Sequence, residues 1–206
     1  MAKFIKLYND NPSEKELQNI AKALEDGALV IYPTDTVYGL GCAFDNKKGI
    51  DKVARLRNVK PDKANFSFIC YDLSNLSDYV KQIDSSTFKI LKSHLPGPYT
   101  FILESSNTLP QTFKKKKTVG IRIPDNNIVR KLVQILGKPI ITTSIRDEDD
   151  VIEYTTDPEL IYEKWQHEVD IVIDGGYGDN IPSTIIDLST GVPEVVREGK
   201  GEVEFI

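Results

Sequence analysis

The chain has little of what metal centres, disulfide scaffolds and histidine-dependent hydrolases are built from. Its only cysteines, Cys42 and Cys70, lack the paired spacing of a zinc site and lie in apolar patterns. Buried free thiols are therefore expected, rather than a disulfide or a metal-ligand pair. The two histidines, His94 and His167, stand far apart with no serine or cysteine constellation around them, which fits helix capping and packing better than general-base chemistry. Ser144 has no Gly-x-Ser-x-Gly elbow and is expected to hydrogen-bond rather than attack a carbonyl. Neither Gly-x-Gly-x-x-Gly nor a phosphate loop ending in Gly-Lys-Ser/Thr occurs, which argues against the commonest nucleotide folds. No stretch approaches the ~18 uninterrupted apolar residues of a membrane span, and the N-terminus has no signal-peptide core. The expectation is a cytoplasmic protein with no membrane association.

What the chain does have is ordinary in amount and uneven in placement. Its 206 residues, 40% hydrophobic and 28% charged, suffice for one well-buried domain. The net charge of −5 conceals a segregation: residues 1–146 carry 23 Lys/Arg against 14 Asp/Glu, and residues 147–206 carry 3 against 17, or +9 and −14. Such a division either concentrates an anion at one face or gives two solvated surfaces of opposite sign.

Helix and strand signals alternate along the chain. Ser13 and Glu16 form a capping-box pattern before Leu17, Ile20, Ala21 and Leu24, which predicts a helix running to Gly27. Ala28 to Tyr32 reads as a buried strand entering the Pro33 turn. Asn46 caps a helix that turns Ile50, Val53, Ala54 and Arg57 inward, exposes Lys47, Lys48, Lys52 and Arg55, and ends at Pro61. Phe66 to Cys70 is a strand. Short helices follow, one capped by Asp72 or Ser74 and running through Tyr79, the next capped by Ser85 or Ser86 and carrying Phe88, Ile90 and Leu91.

Pro96-Gly97-Pro98 forces a tight entry into the strand Tyr99 to Leu103. Lys114 to Lys117 read as a solvated loop before the strand Thr118 to Ile123. Asn126 or Asn127 caps a helix that Gly137 stops, Pro139 to Thr143 is a strand, and Asp147 to Glu153 reads as an exposed acidic loop. A helix capped at Asp157-Pro158 and strands at Val169 to Ile173, Ser183 to Leu188 and Glu194 to Arg197 complete the chain. The alternation predicts one α/β domain with a mixed, twisted sheet and helices on its flanks.

The chemistry concentrates between Val30 and Lys63. An apolar run stops at Pro33-Thr34-Asp35-Thr36, resumes through Gly39 and Gly41, and is followed by Arg57, Lys60 and Lys63. Hydroxyls at a sharp bend followed by cations suit a small polar ligand bearing phosphates. Thr34, Thr36 and Tyr38 are candidate ligand contacts or turn hydroxyls, and Asp35 is expected to bond turn amides. Arg122 and Arg197 sit in strand-like stretches, where each must meet either an acid or an anionic ligand.

Four ordered blocks then show a resemblance. Tyr32-Pro33-Thr34-Asp35-Thr36-Val37-Tyr38-Gly39-Leu40-Gly41, Pro96 to Leu103, Thr118 to Pro124, and Ser183-Thr184-Ile185-Ile186-Asp187-Leu188 followed by Arg197-Glu198-Gly199 resemble the YrdC/YciO family of threonylcarbamoyl-AMP synthases. The resemblance implies a YrdC-like single domain over 1–206, with a concave basic surface and without the extra C-terminal domain of long members. It also implies a reaction of ATP, bicarbonate and L-threonine, or a related amino acid, that forms threonylcarbamoyl-AMP and pyrophosphate for modification of transfer RNA.

On the matching positions, Thr36 and Ser183 would hold threonine. Arg57, Lys60, Lys63, Arg122, Thr142, Ser144 and Arg197 would serve ATP and its phosphates. Mg2+ would come with ATP, since the sequence offers no acidic metal cage. The family's Lys-x-Arg-Pro element stands here as Arg57-Asn58-Val59-Lys60-Pro61, and its Ser-x-Asn element as Ser144-Ile145-Arg146, which places the chain nearer the YciO-type branch. The alternatives are a protein that binds double-stranded or transfer RNA, and a nucleotide-binding regulator without turnover.

Overall fold

The structure, a computed structural model, describes residues 1–145 and 153–204. Along the chain, β1 (Lys3–Lys6) leads to α1 (Glu14–Glu25), then β2 (Val30–Tyr32), β3 (Gly39–Ala43), α2 (Lys47–Leu56) and β4 (Ser67–Ile69). A short 3-10 turn at Leu76–Asp78 precedes α3 (Ser85–His94), β5 (Tyr99–Glu104), β6 (Thr118–Arg122), α4 (Asn127–Leu136) and β7 (Ile140–Ser144). The chain closes with α5 (Glu153–Thr156), α6 (Pro158–Trp165), β8 (Ile171–Asp174), β9 (Thr184–Asp187) and β10 (Glu194–Arg197). The strands form one sheet of ten in the order β1-β8-β2-β3-β7-β4-β6-β5-β9-β10. Parallel pairs (β1 and β2 on β8, β4 on β6, β5 on β9) mix with antiparallel ones, as the uneven connection lengths predict.

Strand alternation sends side chains to two cores. Leu40, Cys42, Phe68, Phe101, Ile121 and Ile141 pack on one face against α2, Leu91 of α3 and Ile161 of α6. Val30, Tyr32, Ala43, Ile69, Ile140, Ile171 and Ile173 pack on the other, against the apolar stripes of α1 and α4. Those two helices pack on each other and cover this second face only over its first six strands.

The caps follow from side-chain chemistry at the helix ends. Ser13 accepts from Glu16 N, Asn46 from Gly49 N, Asn126 from Val129 N and Asp157 from Glu159 N, and α4 stops at the left-handed Gly137. Three expectations are corrected. The second helix ends at Leu56, because the chain turns at Arg57 and Asn58 (φ 51°) before Pro61 can act. Asp72 does accept from Ser74 N, but only a single 3-10 turn follows, and its first residue has no side-chain cap. The cap of α3 is Asp84 rather than Ser85 or Ser86: its carboxylate takes Thr87 N at 2.7 Å and the Ser86 hydroxyl, leaving Phe88 exposed and Thr87 and Leu91 inside. Arg146 and the acidic stretch from Asp147 to residue 152 lie outside the described residues. Cys42 and Cys70 are buried free thiols, each pushed up to about 12 by burial. Among the described residues no helix is long and apolar enough to cross a membrane.

Candidate functional site

Beyond the edge of α1 and α4, the second face of the sheet changes character. One row of paired residues crosses six strands: Gly41 on β3, Thr142 on β7, Ser67 on β4, Gly120 on β6, Ile102 on β5 and Asp187 on β9. Directly paired residues point to the same side, so Thr142, Ser67 and Asp187 stand together as a polar strip. Gly120 keeps that strip flat, since a Cβ there would sit 2.6 Å from Ser67 Oγ. Ser67, Gly120, Ile102 and Asp187 of this row floor a cavity of about 270 Å3 lined also by Thr100, Thr118 and Lys116.

At one end of the strip lies the predicted hydroxyl turn, held by a buried arginine. Arg122 donates from one guanidinium nitrogen to Thr34 Oγ1 (2.9 Å), Asp35 Oδ1 (2.8 Å) and Thr36 Oγ1 (2.5 Å). The Arg122 and Asp35 side chains keep 6% and 11% of their surface. Thr34 spends its proton on the Val37 carbonyl and accepts from Thr36 N, so the Thr36 hydroxyl holds the movable proton of the turn. Two ionic atoms remain unsatisfied: Asp35 Oδ2 and Arg122 Nε are buried with no hydrogen-bond partner among the described residues. A native site that leaves a buried acceptor and a buried donor unpaired carries a cost that a ligand can recover.

The chain's C-terminal strands bring the remaining pieces. Ser183 Oγ lies 2.9 Å from Thr100 Oγ1 and 3.3 Å from an Arg197 guanidinium nitrogen, and Arg197 donates twice to the Ser183 carbonyl. Lys200 Nζ reaches the Asp35 carbonyl at 2.7 Å and the Asp179 carboxylate at 2.8 Å, and Asp179 N donates to the Thr36 carbonyl. The Lys200 hydrogen bond, with the Ile181 and Asn180 amides, holds the Asp179 carboxyl below the usual carboxylate range. Beside the turn, a cavity of about 460 Å3 is lined by Thr34, Asp35, Thr36, Tyr177, Asp179 and Lys200.

The structure thus gathers Thr36, Arg122, Ser183 and Arg197 at strand ends, with Thr142 and Ser144 on the same face of β7. Tyr32 donates to Thr142 Oγ1 at 2.6 Å, which leaves the Thr142 hydroxyl its own proton to give. Arg57, Lys60 and Lys63 lie on the turn after α2 and line neither of these two cavities. Two readings of the opening turn are corrected. Asp35 bonds a guanidinium rather than turn amides, because Arg122 is the stronger, charged donor within reach. Tyr38 is fully buried and its hydroxyl ties Gly175 N to the Gly176 carbonyl, so it anchors a loop and does not face ligand.

Among the described residues, Arg197 donates to the Ser183 carbonyl and hydroxyl. His94 bonds the Ile90 carbonyl in the last turn of α3, as a capping role predicts, and His167 is exposed. Ser67, Thr100 and Lys200 were not foreseen. For Ser67 and Thr100 the signal was present: small hydroxyls at outward positions of otherwise apolar strands. Among the described residues, no group of three His, Cys, Asp or Glu side chains converges to hold a metal.

A twisted mixed sheet with helices on both faces and a buried arginine beneath a hydroxyl turn defines a single-domain α/β protein with a cleft lined by polar side chains. The chain belongs to the Sua5/YciO/YrdC family, whose model, described as telomere recombination, matches residues 22–199. It is 38% identical over 207 residues to YciO of Escherichia coli (strain K12), covering 99% of this chain and 98% of that protein. The crystal structure of E. coli YciO superposes with a TM-score of 0.90 at 37% identity, over 99% of this chain and 98% of that one. A threonylcarbamoyl-AMP synthase of Vibrio vulnificus (strain YJ016) is 29% identical over 187 residues, 89% of this chain and 98% of that enzyme. A doubly substituted Sua5 of P. abyssi superposes with a TM-score of 0.82 at 26% identity, over 97% of this chain and 60% of that one.

Proposed function

We propose that the chain is an ATP-dependent nucleotidyltransferase of the threonylcarbamoyl-AMP synthase type, acting on L-threonine or a related amino acid. The observation that carries this reading is the unsatisfied pair beneath the turn. A buried donor on Arg122 beside a buried acceptor on Asp35 matches a zwitterion, which brings an anionic oxygen and an N–H donor together. The hydroxyls of Thr36 and Ser183 would add two further hydrogen bonds, and the similarity to a threonylcarbamoyl-AMP synthase supports threonine as the amino acid.

In this reading the amine of the amino acid takes up the carboxyl group of bicarbonate, with loss of water. A carbamate oxygen then bonds the α-phosphorus of ATP as the bond to pyrophosphate breaks, with Mg2+ arriving as part of the ATP complex. The cavity at Ser67 would hold the nucleotide, with Thr142 and Ser144 on the neighbouring strand and Arg57, Lys60 and Lys63 contributing positive charge from the turn after α2. Fixed hydroxyls and a buried guanidinium supply positioning and charge stabilisation rather than an acid–base pair.

The test is incubation with ATP, bicarbonate and each amino acid in turn, scoring pyrophosphate and a carbamoyl-adenylate. Product with threonine or a close relative is expected; its absence with every amino acid while ATP still binds would leave a nucleotide-binding regulator. A second reading, structured RNA as ligand, is favoured by the exposed Lys114, Lys115 and Lys117 beside the open face. RNA affinity that falls steeply with salt, without any adenylate product, would support that reading instead.

A further inference from the structure

Of the four lysines Lys114 to Lys117, three are exposed, as a solvated run requires. Lys116 is different. It lines the cavity over the polar strip, and its ammonium donates to Asn65 Oδ1 at 3.3 Å. Its backbone is pinned on both sides: the Lys116 carbonyl accepts from Ser105 Oγ at 2.5 Å, Lys116 N donates to the Phe113 carbonyl at 2.8 Å, and Ser105 N donates to the Lys117 carbonyl at 2.9 Å. Phe113 itself is buried edge-on against Phe68. The side chain therefore leaves a fixed base rather than a freely moving loop.

No carboxylate lies within ion-pair distance of this ammonium among the described residues. Partial burial holds Lys116 below the usual lysine range, with Asp62 opposing. A partly desolvated cation whose hydrogen-bond partner is a neutral amide, with Asp62 acting on it only from beyond ion-pair distance, is poised for an anion. The Asn65 amide adds a second donor beside it. Asn65 also follows the turn in which the Lys60 carbonyl accepts from Lys63 N and Ala64 N, so the cavity mouth joins the chain's two basic segments.

We propose that Lys116, with Asn65, grips a phosphoryl oxygen of a nucleotide lying in the open-face cavity on the Ser67–Gly120 strip. This rests on the nucleotide reading above and adds to it a residue and a position for the phosphate. Of the cations considered, Arg57, Lys60 and Lys63 do not line this cavity, and Lys116 does.

The test is calorimetric titration of the full chain with ATP and with adenosine, comparing wild type with Lys116→Gln, Lys116→Arg and, as a surface control, Lys115→Gln. Circular dichroism first establishes that each variant is folded. For Lys116→Gln, ATP binding is expected to weaken about tenfold or more, as loss of a charge-assisted bond requires. Adenosine binding should stay unchanged, Lys116→Arg should restore most of the ATP affinity, and Lys115→Gln should match wild type. Equal losses for ATP and adenosine would make Lys116 a structural residue and overturn the proposal, as would unchanged ATP affinity. Wild type that binds neither ligand would overturn the nucleotide reading itself and the phosphate grip with it. In a parallel filter assay with transfer RNA, a Lys116→Gln loss confined to RNA would assign the lysine to an RNA phosphate and sink the nucleotide proposal.

Discussion

One face of a single sheet is used in two ways. Over its first six strands the face carries Val30, Tyr32, Ala43, Ile69, Ile140, Ile171 and Ile173, and α1 and α4 seal it from water. Farther across it carries Ser67, Gly120, Thr100, Thr118 and Asp187, and an open cavity lies above them. Both halves share the same pleat, and several strands contribute to each. Ile69 belongs to the covered half and Ser67, two residues earlier on β4, to the open one. The open half is mixed: Ile102 and Ile185 stay half-buried in it, and the hydroxyls and Asp187 beside them lose nothing to water and offer hydrogen bonds. The difference teaches that one strand pleat can serve as sealed core and as open surface, and the proposed ligand site lies on the part that no helix seals.

The largest break in that comparison should come at the border, where Arg122 is buried as deeply as core and bonded only to polar groups. Arg122→Met leaves the Asp35 carboxylate buried without its cation and should cost about 3–5 kcal/mol in urea unfolding. A cost below 1 kcal/mol would show that the pair is solvated. Within the covered half, Leu132→Ala on α4 should cost about 2–5 kcal/mol and leave ligand affinity alone, read by the same unfolding curves and by titration.

The open half should invert this pattern. Ser183→Ala should alter stability by no more than about 1 kcal/mol and lower amino-acid affinity about fivefold or more, measured by titration with threonine. The smallest effect is expected at the rim. The Lys200–Asp179 pair is well exposed, so Lys200→Met should change neutral-pH stability by about 0–1 kcal/mol. Its sign with pH is fixed: the folded Asp179 pKa is depressed, so its contribution is present above the ordinary carboxylate range and is lost as pH falls through the folded value. Removing Lys200 should therefore move the onset of acid unfolding upward, followed by circular dichroism.

Much of the fold was legible because it rests on local chemistry. Ser13, Asn46, Asn126 and Asp157 each cap a helix as their side chains and sequence contexts predict, and the apolar stripes of α1 and α4 point where their spacing says. The misreadings at Asp84 and Leu56 arose where two local signals competed. A carboxylate outcompeted the serines that follow it, and a left-handed Asn58 acted before a proline could. The site was half legible. Thr36, Arg122 and Ser183 carry recognisable blocks, but nothing near Asp35 in sequence announces a guanidinium 87 residues away.

By itself, then, the sequence determined most helices and strands, the family and the hydroxyl turn, because caps, periodicity and turn chemistry act within a few residues. Only the tertiary structure decided which end of the sheet stays uncovered, that Lys116 and Asn65 meet over it, and that Lys200 reaches back to Asp35 across 165 residues. Those contacts depend on strand order and on how far two helices extend over a ten-stranded sheet, and no local interaction encodes either.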